Sequence, residues 1–238
     1  GMNIIGVHLD RRATQENADR IARQIEEYGR QAWFFNINAA DPERRRDVLQ
    51  EVARRFDQRG HQERIRVLLH SLAFGTLRPL VADDPDEQAT QKQLEMTIDV
   101  MANSLVYWTQ DCIAGALLLR DARIFAMTSS GATAAWKGYG AVSAAKCALE
   151  SHIRQLALEL APLGMTANAI CAGVTDTPAL RKIPHSSKMM DTALLRNPTG
   201  RLTRPVDVAS TLVALSHPCT YWMTGNTICV DGGEMHSG

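Results

Sequence analysis

The order of apolar and amphipathic stretches predicts a Rossmann-like, doubly wound α/β fold in a single domain. Three observations carry that expectation. Short apolar runs alternate with longer segments of helical period, the order that builds βαβ units. The runs are apolar throughout rather than every second residue, as strands covered on both faces are. No repeat, low-complexity tract or linker interrupts the 238 residues, a length that one such domain accommodates.

Taken in order, residues 3–9 read as a strand and residues 13–29 as a polar helix closed by Gly29. Residues 32–37 form the next strand. Residues 42–59 follow as a helix, with Pro42 in its first turn and Gly60 just past its end. A strand at 64–69 precedes an acidic loop, Asp83-Asp84-Pro85-Asp86, and a long helical stretch at 91–119. Then come a strand at 123–128, a helix at 140–161, a strand at 166–170 and a polar segment reaching Pro198. A helix at 205–216 and a strand at 227–230 complete the pattern.

Composition narrows the function. Formal net charge is zero, which argues against nucleic acid or an acidic membrane surface as partner. No apolar run reaches the roughly 20 residues of a membrane span. Cys112, Cys147, Cys171, Cys219 and Cys229 are scattered, and most sit in apolar contexts. They read as buried free thiols of a cytoplasmic protein rather than as metal ligands. The seven histidines form no metal-binding spacing either.

In a doubly wound sheet, ligands gather beyond the carboxyl ends of the strands. The strand at 123–128 runs into Thr128-Ser129-Ser130-Gly131, and Tyr139 and Lys146 follow at the start of a helix of small residues. Seven residues at about 100° each put Tyr139 and Lys146 on one helix face, about 10 Å apart along the axis. A phenol is a poor acid near neutrality unless a cation favours its ionised form, which Lys146 is placed to do. The Ser129 hydroxyl is placed to orient a carbonyl or steady an oxyanion.

Here the sequence resembles the short-chain dehydrogenases/reductases. That superfamily most often carries Tyr-x3-Lys, but the residue four before Lys146 is Val142. The Tyr-x6-Lys spacing of Tyr139 and Lys146 resembles the enoyl-(acyl carrier protein) reductases instead. So do His70-Ser71-Leu72, where most relatives have Asn-Asn-Ala-Gly, and Gly75-Thr76-Leu77-Arg78-Pro79-Leu80. Leu156 to Gly164, Ala167 to Ile170, Ala172 to Thr177 and Val230-Asp231-Gly232-Gly233 extend the likeness toward the C-terminus.

The resemblance implies a reductase using NADPH or NADH, with Tyr139, Lys146 and Ser129 catalytic. It assigns cofactor contacts to His70, Ser71 and Leu72, through backbone rather than the His70 ring, to Lys146 at the ribose, and to Thr177 at the pyrophosphate. Asn38 stands where adenine is contacted. His8 occupies the slot that selects between the two dinucleotides, and Arg11 and Arg12 behind it favour a 2′-phosphate. The superfamily's catalytic Asn falls on Met101, leaving Asn103 as a helix residue. Met189, Met190, Leu194 and Leu195 lie in a variable segment that forms a substrate lid in similar proteins.

The same resemblance leaves something out. Its first strand, Gly-rich turn and helix have no counterpart before residue 3, and the absent strand would sit mid-sheet. A Gly-rich turn lets backbone N–H groups approach the pyrophosphate, so weakened cofactor binding is expected. Three readings therefore stay open: reduction of an enoyl double bond in an acyl thioester, carbonyl reduction or alcohol oxidation, and a non-catalytic scaffold subunit. The apolar face of the second helix half (Ala148, Leu149, Ile153, Leu156) is read as a pairing surface for a homotetramer or homodimer, with a core-facing stripe as the alternative.

Overall fold

The computed structural model describes residues 1–60 and 63–237. The chain divides into two compact units, Gly1–Glu63 and Arg64–Gly238, each built on its own parallel sheet.

In the N-terminal unit, β1 (Ile4–His8) pairs with β2 (Ala32–Asn36), Ile4 opposite Ala32 and His8 opposite Asn36. Parallel neighbours need a crossover, and α1 (Arg12–Glu27) supplies it. The second helix, α2 (Pro42–Gln58), starts where the sequence says it should. The Asp41 carboxylate accepts from the backbone N–H groups of Glu43 and Arg44 at 2.9 and 3.1 Å, and Pro42 fills a position that has no hydrogen bond to lose. Its inner stripe buries Val48, Leu49, Val52 and Phe56. The Phe56 ring meets Trp33 of β2 at 6.0 Å, and the Arg55 guanidinium lies 5.0 Å over the same indole.

The C-terminal unit carries β3 (Ile65–His70), α3 (Gln91–Ile98), α4 (Ser104–Ala114), β4 (Leu118–Ser129) and α5 (Gly140–Leu160). β5 (Thr166–Ala172), α6 (Ser186–Arg196), α7 (Pro205–Leu215) and β6 (Thr227–Val230) follow. Its sheet runs β3-β4-β5-β6, all parallel. Val208 and Leu215 of α7 close over Phe125 of β4 and Ile170 of β5, while α5 packs against β4 and β5. Residues 166–171 are buried without a break, as a strand covered on both faces is.

Several expectations are corrected here. The sheet expected as one is hydrogen-bonded as two ladders, and among the described residues β1 and β3 each keep an unpaired edge. The helical stretch at 91–119 is three pieces: α3, a π-turn at Asp99–Asn103, and α4. It stops at Gly115, because Ala116 is left-handed (φ 50), and β4 starts five residues earlier than expected, at Leu118. The segment before Pro198, read as polar, contains α6. Leu149, Ile153 and Leu156 are buried within the chain, so this stripe of α5 is core and not a pairing face. Of the free thiols, Cys112 and Cys171 are buried, but Cys147, Cys219 and Cys229 are exposed. Cys229 lies on the edge strand β6, where an apolar run has one neighbour fewer to cover it.

Candidate active site

The carboxyl ends of β3 and β4 and the first turns of α5 bring the chemically competent side chains together. Ser129 is the last residue of β4, and a short 3-10 turn (Ser130–Ala132) carries the chain away from it. Gly138, left-handed at φ 76, turns the backbone into α5, so Tyr139 becomes the residue that caps the helix. A Cβ at Gly131 would stand 2.4 Å from Cε1 of Tyr139 and 3.2 Å from Oγ of Ser129. The phenol ring therefore lies across Gly131, a residue whose role the sequence pattern did not reveal.

Burial dominates the electrostatics. It raises the Tyr139 pKa above its ordinary 10.0, while the neighbouring Ser129 hydroxyl pulls it down. Ser129 Oγ is buried and completes no hydrogen bond of good geometry among the described residues, so its contact with the phenol still leaves it able to bond a further group. Lys146 is buried (5% exposed), and its Nζ donates to the Met127 carbonyl at 2.7 Å. Burial lowers its pKa from 10.5 to about 8, with Glu150 and Cys171 resisting. Glu150 sits one turn beyond Lys146 and accepts from Thr128 Oγ1 at 2.8 Å. The groups acting on the phenol are its burial and Ser129, while the ammonium is held on β4.

His70 ends β3, buried and with its ring turned into the fold. Ser104 gives its hydroxyl proton to the Val100 carbonyl at 2.8 Å and accepts from His70 Nε2 at 2.8 Å, leaving Nδ1 as an unpartnered buried acceptor. Burial, with the charge of Lys146, lowers the His70 pKa to about 4. Ser71 is exposed and Leu72 half-buried just beyond the strand. The loop they open is fastened to α3, where Thr76 N–H donates to Thr97 Oγ1 at 3.0 Å and a Cβ on Gly75 would strike Thr97 at 2.6 Å.

Met101, in the π-turn, packs with Val142 and Ala145, and Leu77, Ile98 and Tyr139 lie against them. It holds the α5 face that carries the phenol. Asn103 instead faces His152, at 3.0 Å. Thr177 lies beyond β5, and its hydroxyl oxygen accepts from Leu180 N–H at 3.1 Å. In the following segment Met189 and Met190 are half-buried and Leu194 and Leu195 exposed. Trp136 Nε1 donates to the Pro184 carbonyl at 3.3 Å, which ties this segment to the loop after Ser129.

Three of the expected cofactor residues belong to the N-terminal unit. Arg11 precedes α1 and Arg12 begins it, both exposed, and Asn38 is exposed beyond β2. Nearby, Asp10 is already engaged. Its carboxylate meets His8 Nδ1 at 2.7 Å, and contacts with Thr14 and His8 keep its pKa low.

Among the described residues, no helix is long and apolar enough to cross a membrane. Among those residues, no group of three or more His, Cys, Asp and Glu side chains is arranged to hold a metal.

Comparison with known proteins extends the picture. The family model matching residues 1–235 is described as enoyl-(acyl carrier protein) reductase. Cyclohexanol dehydrogenase of Rhodococcus sp. (strain TK6) is 26% identical over 231 residues, 94% of this chain and 81% of that protein. The 1-cyclohexenylcarbonyl-CoA reductase of Streptomyces collinus is also 26% identical, over 224 residues, 92% of this chain and 75% of that one. The fold is shared with the enoyl-acyl carrier protein reductase of Bacillus cereus, solved with NADP+ and indole naphthyridinone. There the TM-score is 0.86 at 22% identity, over 100% of this chain and 88% of that one.

Proposed function

The chain belongs to the enoyl-(acyl carrier protein) reductase family of short-chain dehydrogenases/reductases, and from that premise we propose that this NAD(P)H-dependent reductase saturates the enoyl double bond of an acyl thioester. One observation supports the reading most: Ser129, Tyr139 and Lys146 converge where β4 meets α5, with Ser129 Oγ buried and able to bond a further group. A reduced nicotinamide dinucleotide supplies the hydride when bound. The residues fit such a group: Lys146 offers a buried ammonium with donors to spare, and His70, Ser71, Leu72 and Thr177 lie at strand ends or just beyond them. In the N-terminal unit, Arg11, Arg12 and Asn38 keep their proposed roles toward a 2′-phosphate and adenine. The engagement of Asp10 by His8 leaves that carboxylate less free for a ribose hydroxyl and supports NADPH over NADH.

Tyr139, held neutral by its raised pKa, donates its proton to the thioester oxygen as negative charge develops there, and Ser129 Oγ orients that oxygen. Lys146 keeps its charge against the sheet and fixes a ribose beside the phenol. Self-association is proposed through the exposed Leu158, Tyr221 and Trp222.

The test is oxidation of NADPH and NADH with a crotonyl thioester and, separately, with an acetoacetyl thioester. Turnover of the enoyl substrate is expected, falling by roughly 10²–10⁴-fold in Tyr139→Phe. Turnover of the ketone alone would establish the carbonyl-reductase alternative. Absence of binding by either nucleotide would favour the scaffold.

A further inference from the structure

Away from the phenol, three sulfur atoms converge at the carboxyl ends of β5 and β6. Cys171 and Cys229 are register partners on these parallel strands, so their side chains leave the sheet on the same face, with strands about 4.8 Å apart. Both thiols point at a third sulfur. Cys171 Sγ lies 3.5 Å, and Cys229 Sγ 3.9 Å, from Sδ of Met235.

Met235 is held there by the backbone. The chain reverses after β6 through Gly232 and Gly233, left-handed at φ 66 and 92. Asp231, buried, then accepts from the N–H groups of Gly233 and Met235 at 3.0 and 2.9 Å. A centre about 2.3 Å from each of three sulfurs in a trigonal plane sets sulfur–sulfur edges of about 4 Å, close to the 3.5 and 3.9 Å found on the two edges that meet at Met235. Two thiols and a thioether are soft donors that select Cu(I) over harder cations. Cys171 is buried, and Cys229 is exposed on the edge strand, giving a path inward.

We propose that Cys171, Cys229 and Met235 form a three-sulfur site for a soft monovalent cation, Cu(I) or its redox-inert counterpart Ag(I). On binding, each thiol releases its proton to solvent and forms one sulfur–metal bond, and the Met235 thioether donates a lone pair. No electron changes hands. No sequence pattern announces it, because the donors are 58 and 6 positions apart and one is a methionine.

The test is anaerobic titration of the reduced protein against Cu(I) held by bicinchoninate, repeated with Ag(I). One equivalent is expected to move to the protein. Met235→Leu, which conserves volume, is expected to weaken capture roughly tenfold, the low end of what even an outer-shell loss costs a metal site. Cys229→Ser, at an exposed position, is expected to abolish it, as is Cys171→Ser. Cys219→Ser serves as control, since exposed Cys219 pairs with His217 at 2.9 Å and is the rival soft donor. Loss of capture in Cys219→Ser, or full affinity in Met235→Leu or in Cys229→Ser, overturns the proposal. Should Cys171→Ser fail to fold, Met235→Leu and Cys229→Ser decide it.

Discussion

At the scale of single residues, position against burial governs the candidate site. Gly131 is needed because the Tyr139 ring occupies the space a side chain would fill. Gly131→Ala is therefore expected to displace the phenol and lower kcat by at least roughly tenfold, with little change in melting temperature. An unchanged kcat would show that the ring has room to move. Lys146 sets the pH range. With its pKa lowered to about 8 from 10.5, the ammonium is present below about pH 8 and lost as pH rises through that value. Reductase kcat/KM is expected to fall about tenfold per unit above pH 8. A profile flat to pH 10 would mean that the bound state restores the charge. That Ser129 ends a strand and that Tyr139 and Lys146 stand at the start of the next helix was legible in the sequence, from an apolar run and from helical periodicity. Gly131 and Glu150 were not. A glycine needed for a close approach looks like any loop glycine, and a carboxylate one turn from a lysine looks like a surface ion pair.

Among elements, the junction between β3 and α4 rests on the pair His70 and Ser104. Removing the hydroxyl leaves the His70 Nε2–H buried without a partner. Ser104→Ala is expected to cost about 1–3 kcal/mol, measured by urea unfolding, and a loss under 0.5 kcal/mol would mean that another acceptor replaces it. The strands other than β4 were read almost to the residue, and so were α2 and α7, whose starts are marked by Asp41-Pro42 and Arg204-Pro205. The errors fell where local signals are silent. A π-turn inserts an extra residue per turn without altering composition, so residues 91–119 kept a helical look through Met101 and past the true stop at Ala116. The entry to α6 is His185 at φ 59 with no side-chain cap, and nothing in its polar sequence announces a helix.

For the whole molecule, the surface outside the site holds the remaining question of assembly. Trp222 is 85% exposed and Tyr221 62%, with their rings 5.8 Å apart, and Leu158 is 70% exposed. Trp222→Ala is expected to shift sedimentation toward monomer at fixed concentration, and an unchanged oligomer, or a monomeric wild type, would remove that surface from consideration. Fold class was legible from the order of runs, but not the division of the sheet, because strand pairing depends on a neighbour that the strand's own residues do not encode. That division has a practical consequence. Ile4 on β1 and Leu69 on β3 are exposed beside backbone donors and acceptors that no strand among the described residues covers. Such edges are templates for any extended segment nearby, so concentrated solutions of this protein will be prone to slow precipitation, and short strand-forming peptides able to occupy the edges will keep it dissolved.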